Sequence, residues 1–307
     1  MLGVFGSWRD LAQINLAWFP VMAALQGAAL FSLWALQRVA LRRPRWADVV
    51  DSQLAGNALA KIAPAGGALG AALQYQMLVR AGIDRGRAVA GLTAANLLTF
   101  TTVLALPALV VPAIIRGGVH RGLIEVTVIA LIAFAVLVMA GVAVIVWNGL
   151  LAWIGRAVQR ARNSLRRRTP PLTRLPQRLM RERDRLLQTL GPRWKRALLA
   201  SAGRWAFDYA TLLAALAAVG SHPRPALVLL AFCAAQVLSQ IPFTPGGLGF
   251  VEAGLTATLA LAGVKTGDAV LATLAYRLFS YWLPLPLGLA GAVLHRRRYG
   301  PSGASTS

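Results

Sequence analysis

Apolar stretches of about the length of a bilayer span recur along the chain, and they limit its fold more than any other feature. The stretch 126–147 contains no charged residue, and similar stretches cover 18–37, 88–111, 197–220 and 269–294. A helix that crosses the hydrocarbon core needs about 20 mostly apolar residues. Apolar residues make up 57% of the 307 residues and charged residues only 14%, whereas soluble domains carry about 25% charged residues. The sequence therefore excludes an ordinary soluble protein and predicts an all-α, polytopic integral membrane helical bundle.

The net charge of +22 is concentrated in blocks that separate the apolar stretches: 38–45, 156–196 and 296–298. Blocks of this kind mark the cytoplasmic loops of membrane proteins. No nucleic-acid recognition motif accompanies them, so we expect no nucleic-acid partner. They place the basic segment 156–196, a linker with an amphipathic helix, and the C-terminal tail 296–307 in the cytoplasm. The N-terminus is then external, in a multi-pass protein of the cytoplasmic (inner) membrane.

Two further apolar regions, 49–80 and 226–262, are interrupted in the middle by proline and glycine. Alternation of the spans requires each region to begin and end on the same side of the membrane. We therefore expect two re-entrant helical hairpins, the first entered from the cytoplasm and the second from outside.

These two regions match each other without gaps, at one constant offset in the sequence. Identical residues at this offset include the pairs Pro64/Pro245, Gly66/Gly247, Gly82/Gly263, Gly86/Gly267, Ala88/Ala269 and Val89/Val270. Because the two copies enter from opposite sides, we interpret them as inverted repeats. The chain then divides into a first membrane half, 1–155, and a second, 197–295, joined by the basic segment.

Proline and glycine at the interruptions predict a broken helix in each half. The residues that supply the backbone at these breaks are Pro64, Gly66, Gly67, Pro245, Gly246, Gly247 and Gly249. Backbone groups freed by a break must be buried in protein or line a wet cavity, and the N-terminus of a half-helix suits an anion. The alternative is a pair of packing kinks with no ligand.

Ionisable residues within the predicted spans are costly, so each needs a partner or a function. The candidates for substrate binding are Arg204, Asp208, Tyr209, Glu252, Arg277, Asn57, Lys61 and Gln74. In the functional interpretation, Arg204 and Arg277 hold an anionic headgroup, and Asp208 and Glu252 balance them in the empty state. In the alternative, these four residues form static ion pairs that lock helices together. Tyr281, near a span end, is interpreted as an interfacial residue.

Several strings resemble a known family. They are "IPFTPGGLGFVEAGL" (241–255), "RWAFDYATLLAALAAVG" (204–220), "YRLFSYWLPLPLG" (276–288) and the weaker "GNALAKIAPAGGALGAALQYQMLVRAG" (56–82). They are similar to the lysylphosphatidylglycerol synthase transmembrane region, a flippase-like domain. The resemblance implies movement of an aminoacylated phospholipid between leaflets. We expect no aminoacyl-transferase domain in this chain, and the first motif has Ala71, Ala72 and Gln74 where an acidic residue often occurs in the family.

The sequence therefore predicts a lipid flippase that moves an anionic or aminoacylated phospholipid, or another lipid-linked headgroup, between leaflets. The alternatives are a membrane-embedded transferase acting on a lipid-linked donor, and a non-transporting partner of a lipid-modifying enzyme. We find no candidate catalytic residues, metal ligands or nucleotide-binding motif, and expect no cofactor and a transporter rather than an enzyme. The expected partners are membrane lipids, with a homo-oligomer or a lipid-modifying enzyme left open.

Overall fold

The computed structural model describes residues 15–42, 44–63, 66–107, 191–239 and 245–299, with isolated positions between 132 and 184. Within these ranges every regular element is helical, so the all-α prediction is confirmed for this part of the chain. The helices are α1 (Trp18–Ala40), α2 (Trp46–Ile62), α3 (Gly66–Arg80), α4 (Arg85–Ala105), α5 (Trp194–Ala218), α6 (Pro225–Leu238), α7 (Phe250–Leu261), α8 (Thr266–Arg277) and α9 (Pro284–Tyr299). The candidate span 126–147, most of the basic segment 156–196, residues 108–111 of the candidate span 88–111 and residues 300–307 of the tail lie outside the described residues.

Among the described residues, two helical stretches are long and apolar enough to cross a membrane by length and composition. One is α1, and the other is the continuous stretch Thr266–Tyr299 that contains α8 and α9. Helices α6 and α7 are apolar but shorter. The predicted span 18–37 falls within α1, and 269–294 falls within the second stretch.

Helices α2 and α3 form a tightly packed antiparallel hairpin around glycine. A Cβ atom built on Gly70 would lie 2.3 Å from the carbonyl oxygen of Gly56, and one built on Gly66 would lie 2.1 Å from that of Ala60. The residue numbers of the two close pairs, 56/70 and 60/66, add up to the same value. This is expected when two helices run antiparallel, because one number rises as the other falls. Small residues of this kind let helix backbones approach closely. Between the helices, Ala63 is extended (φ −83°, ψ 145°), and Pro64 lies outside the described residues.

The second interrupted region is also two helices separated by a glycine-rich break. Helix α6 ends at Leu238, and residues 240–244 lie outside the described residues. A 3₁₀ turn at Pro245–Gly247 then precedes α7, which begins at Phe250. The side chain of Pro245 lies outside the described residues. Gly246, Gly247 and Gly249 have φ values of 59°, 72° and 80°, which residues with a Cβ atom rarely adopt. The glycines therefore fix where this helix is broken.

A π-helical turn at Leu278–Trp282 joins α8 to α9. Leu283 N donates to the carbonyl oxygen of Leu278 at 2.9 Å, five residues back. Pro284 has no N–H and cannot donate to the carbonyl oxygen of Ser280, four residues earlier. The turn therefore leaves a backbone acceptor that another group can use, in the middle of an apolar helical stretch.

Helix α2 lies between α3 and α9, and glycine brings both neighbours close. A Cβ atom on Gly288 of α9 would lie 2.4 Å from the Cβ of Ala58 and 2.5 Å from the carbonyl oxygen of Leu54. At the N-terminal end of α2, Arg298 Nη1 lies 2.7 Å from Asp51 Oδ2. These contacts join the first part of the sequence to its last part. They position the C-terminal end of α2 beside the π turn.

Candidate functional site

A cavity of about 400 Å³ lies where the two breaks meet. Five of the predicted binding residues line it: Asn57, Lys61, Arg204, Asp208 and Arg277. Four of the predicted break glycines line it as well: Gly66, Gly67, Gly246 and Gly247. The fold therefore brings together residues from both halves of the sequence around one polar space.

Arg277 and Glu252 form the ion pair that holds one side of this space. Arg277 Nε lies 2.5 Å from Glu252 Oε1, and its guanidinium stacks on the Tyr281 ring at 4.5 Å from the ring centre. The other carboxylate oxygen of Glu252 accepts from Gly249 N at 2.7 Å. One carboxylate thus satisfies a free N–H at the start of α7 and also fixes the arginine. Arg277 itself is only 8% exposed.

Arg204 and Asp208 form a second pair within α5, one turn apart. The distance from Arg204 Nη1 to Asp208 Oδ2 is 3.0 Å, but Nη1 is buried and has no aligned hydrogen-bond acceptor among the described residues. Asp208 is 1% exposed, and its carboxylate also accepts a hydrogen bond from the Tyr276 hydroxyl at 3.2 Å. The Tyr276 hydroxyl in turn accepts a hydrogen bond from Gln236 Nε2. The carboxylate is well held, whereas the arginine keeps a donor that a ligand can use.

Lys61 is held by carbonyl oxygens. Its Nζ donates to Ser280 O at 2.7 Å and to Tyr281 O at 3.2 Å, so it uses the acceptor that Pro284 leaves open. The Tyr281 hydroxyl donates back to Lys61 O at 2.9 Å. A Cβ atom on Gly246 would lie 2.5 Å from Cε2 of Tyr281 and 2.9 Å from Lys61 O. Tyr281 is therefore the point at which both breaks meet.

Basic side chains outnumber acidic ones at the site. Lys61, Arg204 and Arg277 line the cavity, and the described residues pair the two arginines with the carboxylates of Asp208 and Glu252. Lys61 has no carboxylate partner among the described residues. Charges in such a low-dielectric interior are strongly attracted to an opposite charge, so the arrangement favours an anionic ligand.

The remaining predicted residues have structural partners. The Tyr209 hydroxyl donates to Pro225 O at 2.6 Å, and Gln74 Nε2 donates to Gln37 Oε1 at 2.9 Å. Neither side chain lines the cavity. Gly249 does not line the cavity either. Its N–H donates to the Glu252 carboxylate and so helps to hold the ion pair with Arg277.

Sequence reasoning missed several lining residues, and the polar ones among them are Gln26, Gln53, Gln236, Ser239, Tyr276, Ser280 and Tyr281. The interfacial interpretation of Tyr281 is wrong, because this side chain is 3% exposed and packs between the breaks. Gln26 is 2% exposed, and its Oε1 has no hydrogen-bond partner among the described residues. A glutamine in the middle of an apolar helix such as α1 was the signal available in the sequence.

The apolar helices, with a charged cavity enclosed between them, are features of an α-helical integral membrane protein. The family model of the lysylphosphatidylglycerol synthase TM region matches residues 1–288. The chain belongs to this family of membrane domains, and the resemblance stated above is confirmed.

A curated relative agrees with this assignment. A UPF0104 membrane protein of Methanothermobacter thermautotrophicus is 30% identical over 98 residues, which are 32% of this chain and 28% of the relative. The matched part is therefore less than a third of the relative's length. No solved structure matches the chain.

Proposed function

We propose that this protein moves a lipid with an anionic or aminoacylated headgroup between the leaflets of the cytoplasmic membrane. The observation that carries the proposal is the cavity between the two breaks, in which Lys61 is held by carbonyl oxygens and the basic side chains of the lining outnumber their carboxylate partners. A phosphate in this cavity would compete with the carbonyls for Lys61 Nζ, because the attraction between opposite charges adds to the hydrogen bond.

The headgroup would also use hydrogen-bonding groups that are not fully satisfied within the described residues. Arg204 Nη1 has an ion-pair partner but no aligned acceptor, Gln26 Oε1 has no donor, and both residues line the cavity. The two ion pairs keep the arginines compensated while the site is empty, which lowers the cost of burying them. The acyl chains would remain in the bilayer while the headgroup occupies the cavity.

Inverted repeats are part of the proposal, and the helix boundaries support a repeat. Helix α3 ends at Arg80 and α7 at Leu261, and α4 begins at Arg85 and α8 at Thr266. Both pairs of boundaries have the same offset as Pro64 and Pro245 in the sequence. Gly82 (φ 87°) and Gly263 (φ 91°), which share this offset, also share their backbone conformation. We propose that each half folds its interrupted region as a re-entrant hairpin and that the two hairpins enter from opposite sides.

The proposed orientation places the basic segment 156–196 and the C-terminus in the cytoplasm and the N-terminus outside. It is supported by three predicted cytoplasmic segments that lie at one end of the bundle. Residues of the α1–α2 loop, the α3–α4 loop and the end of α9 line a common cavity there. In the same region, the Tyr299 hydroxyl donates to Asp48 Oδ1 at 2.8 Å.

Reconstitution into vesicles tests the proposal. Vesicles would contain fluorescent phosphatidylglycerol or phosphatidylcholine, and dithionite would bleach the label that reaches the outer leaflet. We expect protein-dependent bleaching of the inner-leaflet phosphatidylglycerol. Lys61→Gln should slow it, and Lys265→Gln, which changes an exposed lysine outside the cavity, should not.

The outcomes separate the alternatives as well. If no labelled lipid crosses beyond the rate in empty vesicles, the translocase proposal is wrong. Conversion of a lipid-linked donor to product would instead indicate a transferase. Binding of a lipid-modifying enzyme without translocation would indicate a non-transporting partner.

A further inference from the structure

A second cavity, also of about 400 Å³, lies at the end of the bundle where the α1–α2 and α3–α4 loops meet. Its lining comes from those two loops, the starts of α2 and α4, and the last residue of α9. It shares no lining residue with the cavity between the breaks. Asp48 in this cavity and Lys61 in the other lie near opposite ends of α2, which places them about 20 Å apart along the helix.

Three arginines dominate the lining: Arg42, Arg45 and Arg87. Within the part of the chain that the structure describes, none of them has a carboxylate within ion-pair distance. The one acidic residue of the lining is Asp48, which is buried and accepts from the Tyr299 hydroxyl. The cavity therefore carries an excess of positive charge in a planar, multidentate form that suits phosphate oxygens.

Pro44, Ala81 and Ile83 lie beside the arginines in the lining, and Leu41, which is 2% exposed, lies behind them. The loop that presents two of the arginines is held in place. Arg38 donates to Pro44 O at 3.0 Å and stacks on Trp46 at 4.5 Å from the ring centre. Arg42 has a φ of 60°, a backbone conformation that costs free energy for a residue with a Cβ atom and persists only where the surroundings impose it.

We propose that this cavity is a second anion site, which binds the phosphate group of an anionic lipid at the headgroup level. The arginines hold the phosphate, and Pro44 and Ile83, which are partly exposed, contact the adjoining glycerol. Basic pockets at the cytoplasmic end of membrane helices bind anionic headgroups in this way. The site is separate from the proposed translocation cavity, and its cytoplasmic position rests on the orientation proposed above.

Arginine footprinting tests this assignment at the residues themselves. The full chain in detergent micelles would be treated with phenylglyoxal, with or without short-chain phosphatidic acid, and modification of each arginine followed by mass spectrometry. We expect the lipid to slow modification of Arg42, Arg45 and Arg87 by about fivefold or more, because the phosphate occupies their donors. Arg85, Arg296 and Arg297 are as exposed as the three test arginines but lie outside the cavity. They should change by less than about twofold, because a single exposed arginine gains little from a screened charge without the other two donors beside it.

Two double variants, each of which loses two positive charges, distinguish the cavity arginines from the control arginines. In R42Q/R87Q, protection of Arg45 should be lost, whereas in R85Q/R296Q it should be retained. Both variants would be checked for a monodisperse elution profile. Equal protection of all six arginines, equal loss in both variants, or no protection at all would overturn the proposal.

Inorganic phosphate distinguishes the source of the ligand. Protection by phosphatidic acid but not by the same concentration of inorganic phosphate would identify a lipid site. Equal protection by inorganic phosphate would overturn the assignment to a lipid and identify a site for soluble phosphate. Short-chain phosphatidylcholine serves as the zwitterionic control and should not protect.

Discussion

Replacing Gly66 with alanine tests how the first break is built, because its neighbour Gly67 provides a matched control. Both glycines lie in the first turn of α3. A Cβ atom on Gly66 would lie 2.1 Å from the carbonyl oxygen and 2.7 Å from the carbonyl carbon of Ala60, whereas one on Gly67 meets nothing within 4 Å. The two substitutions are chemically identical and differ only in this contact.

The contacts set the expected magnitudes. The obstructing atoms at Gly66 are backbone atoms of α2, so the hairpin must open to admit a methyl group, and overpacking of this kind costs about 1–3 kcal/mol. Alanine at Gly67 meets no obstruction and gains about 0.5–1 kcal/mol from its higher helix propensity. We therefore expect Gly66→Ala to be less stable than Gly67→Ala by about 1–3 kcal/mol, because the gain in helix propensity is common to both and cancels.

Equilibrium unfolding in mixed detergent micelles, followed by tryptophan fluorescence or circular dichroism, measures the difference. Gly67→Ala controls for the general effect of alanine at the start of α3. If the two variants unfold at the same denaturant concentration, α2 and α3 do not approach each other as closely as described, and the geometry of the first break is wrong.

The remaining predictions concern side chains around the two cavities. Arg277→Ala and Glu252→Gln should each abolish lipid translocation while the protein still inserts into the membrane. The reason is that Glu252 both fixes Arg277 and caps α7. Unchanged translocation by both variants would contradict the site. Tyr281→Phe removes the donor to Lys61 O and should lower the free energy of unfolding by about 1 kcal/mol, and an unchanged unfolding midpoint would show that this hydroxyl does not connect the two breaks. Asp51→Asn leaves Arg298 without its carboxylate partner and should lower the free energy of unfolding by about 1 kcal/mol at low salt. The effect should be smaller at high salt, because salt screens the charges. An effect that is independent of salt would show that the loss is not electrostatic.

Much of the site followed from local patterns in the sequence. Arg204 and Asp208 share a helix face because they are four residues apart, and the pairing of Glu252 with Arg277 was one of the two interpretations of the intramembrane charges. The glycines of the second break were also identifiable, since few other residues adopt the positive φ of Gly246, Gly247 and Gly249. At the first break, Gly66 is required by the close approach of the Ala60 carbonyl oxygen. These features depend on residue type and short spacing, which the sequence displays directly.

The surroundings of Lys61 could not be predicted in this way. Its acceptors, Ser280 O and Tyr281 O, come from the opposite end of the sequence and become available through the π turn before Pro284. The position of Tyr281 likewise depends on the packing of α2 against α9, which the glycines of α9 allow. Backbone acceptors and close helix approaches depend on tertiary structure, so sequence patterning assigned Tyr281 to the interface.

Photo-crosslinking from the headgroup tests the central claim most directly. A phosphatidylglycerol analogue with a photoreactive group on the glycerol headgroup would be reconstituted with the protein, and the labelled residues would be identified by mass spectrometry. The account predicts labels on the peptides that contain Lys61 and Ser280, which unlabelled phosphatidylglycerol reduces by competition. Labels confined to outward-facing side chains such as Phe31, which is 55% exposed, would contradict the account.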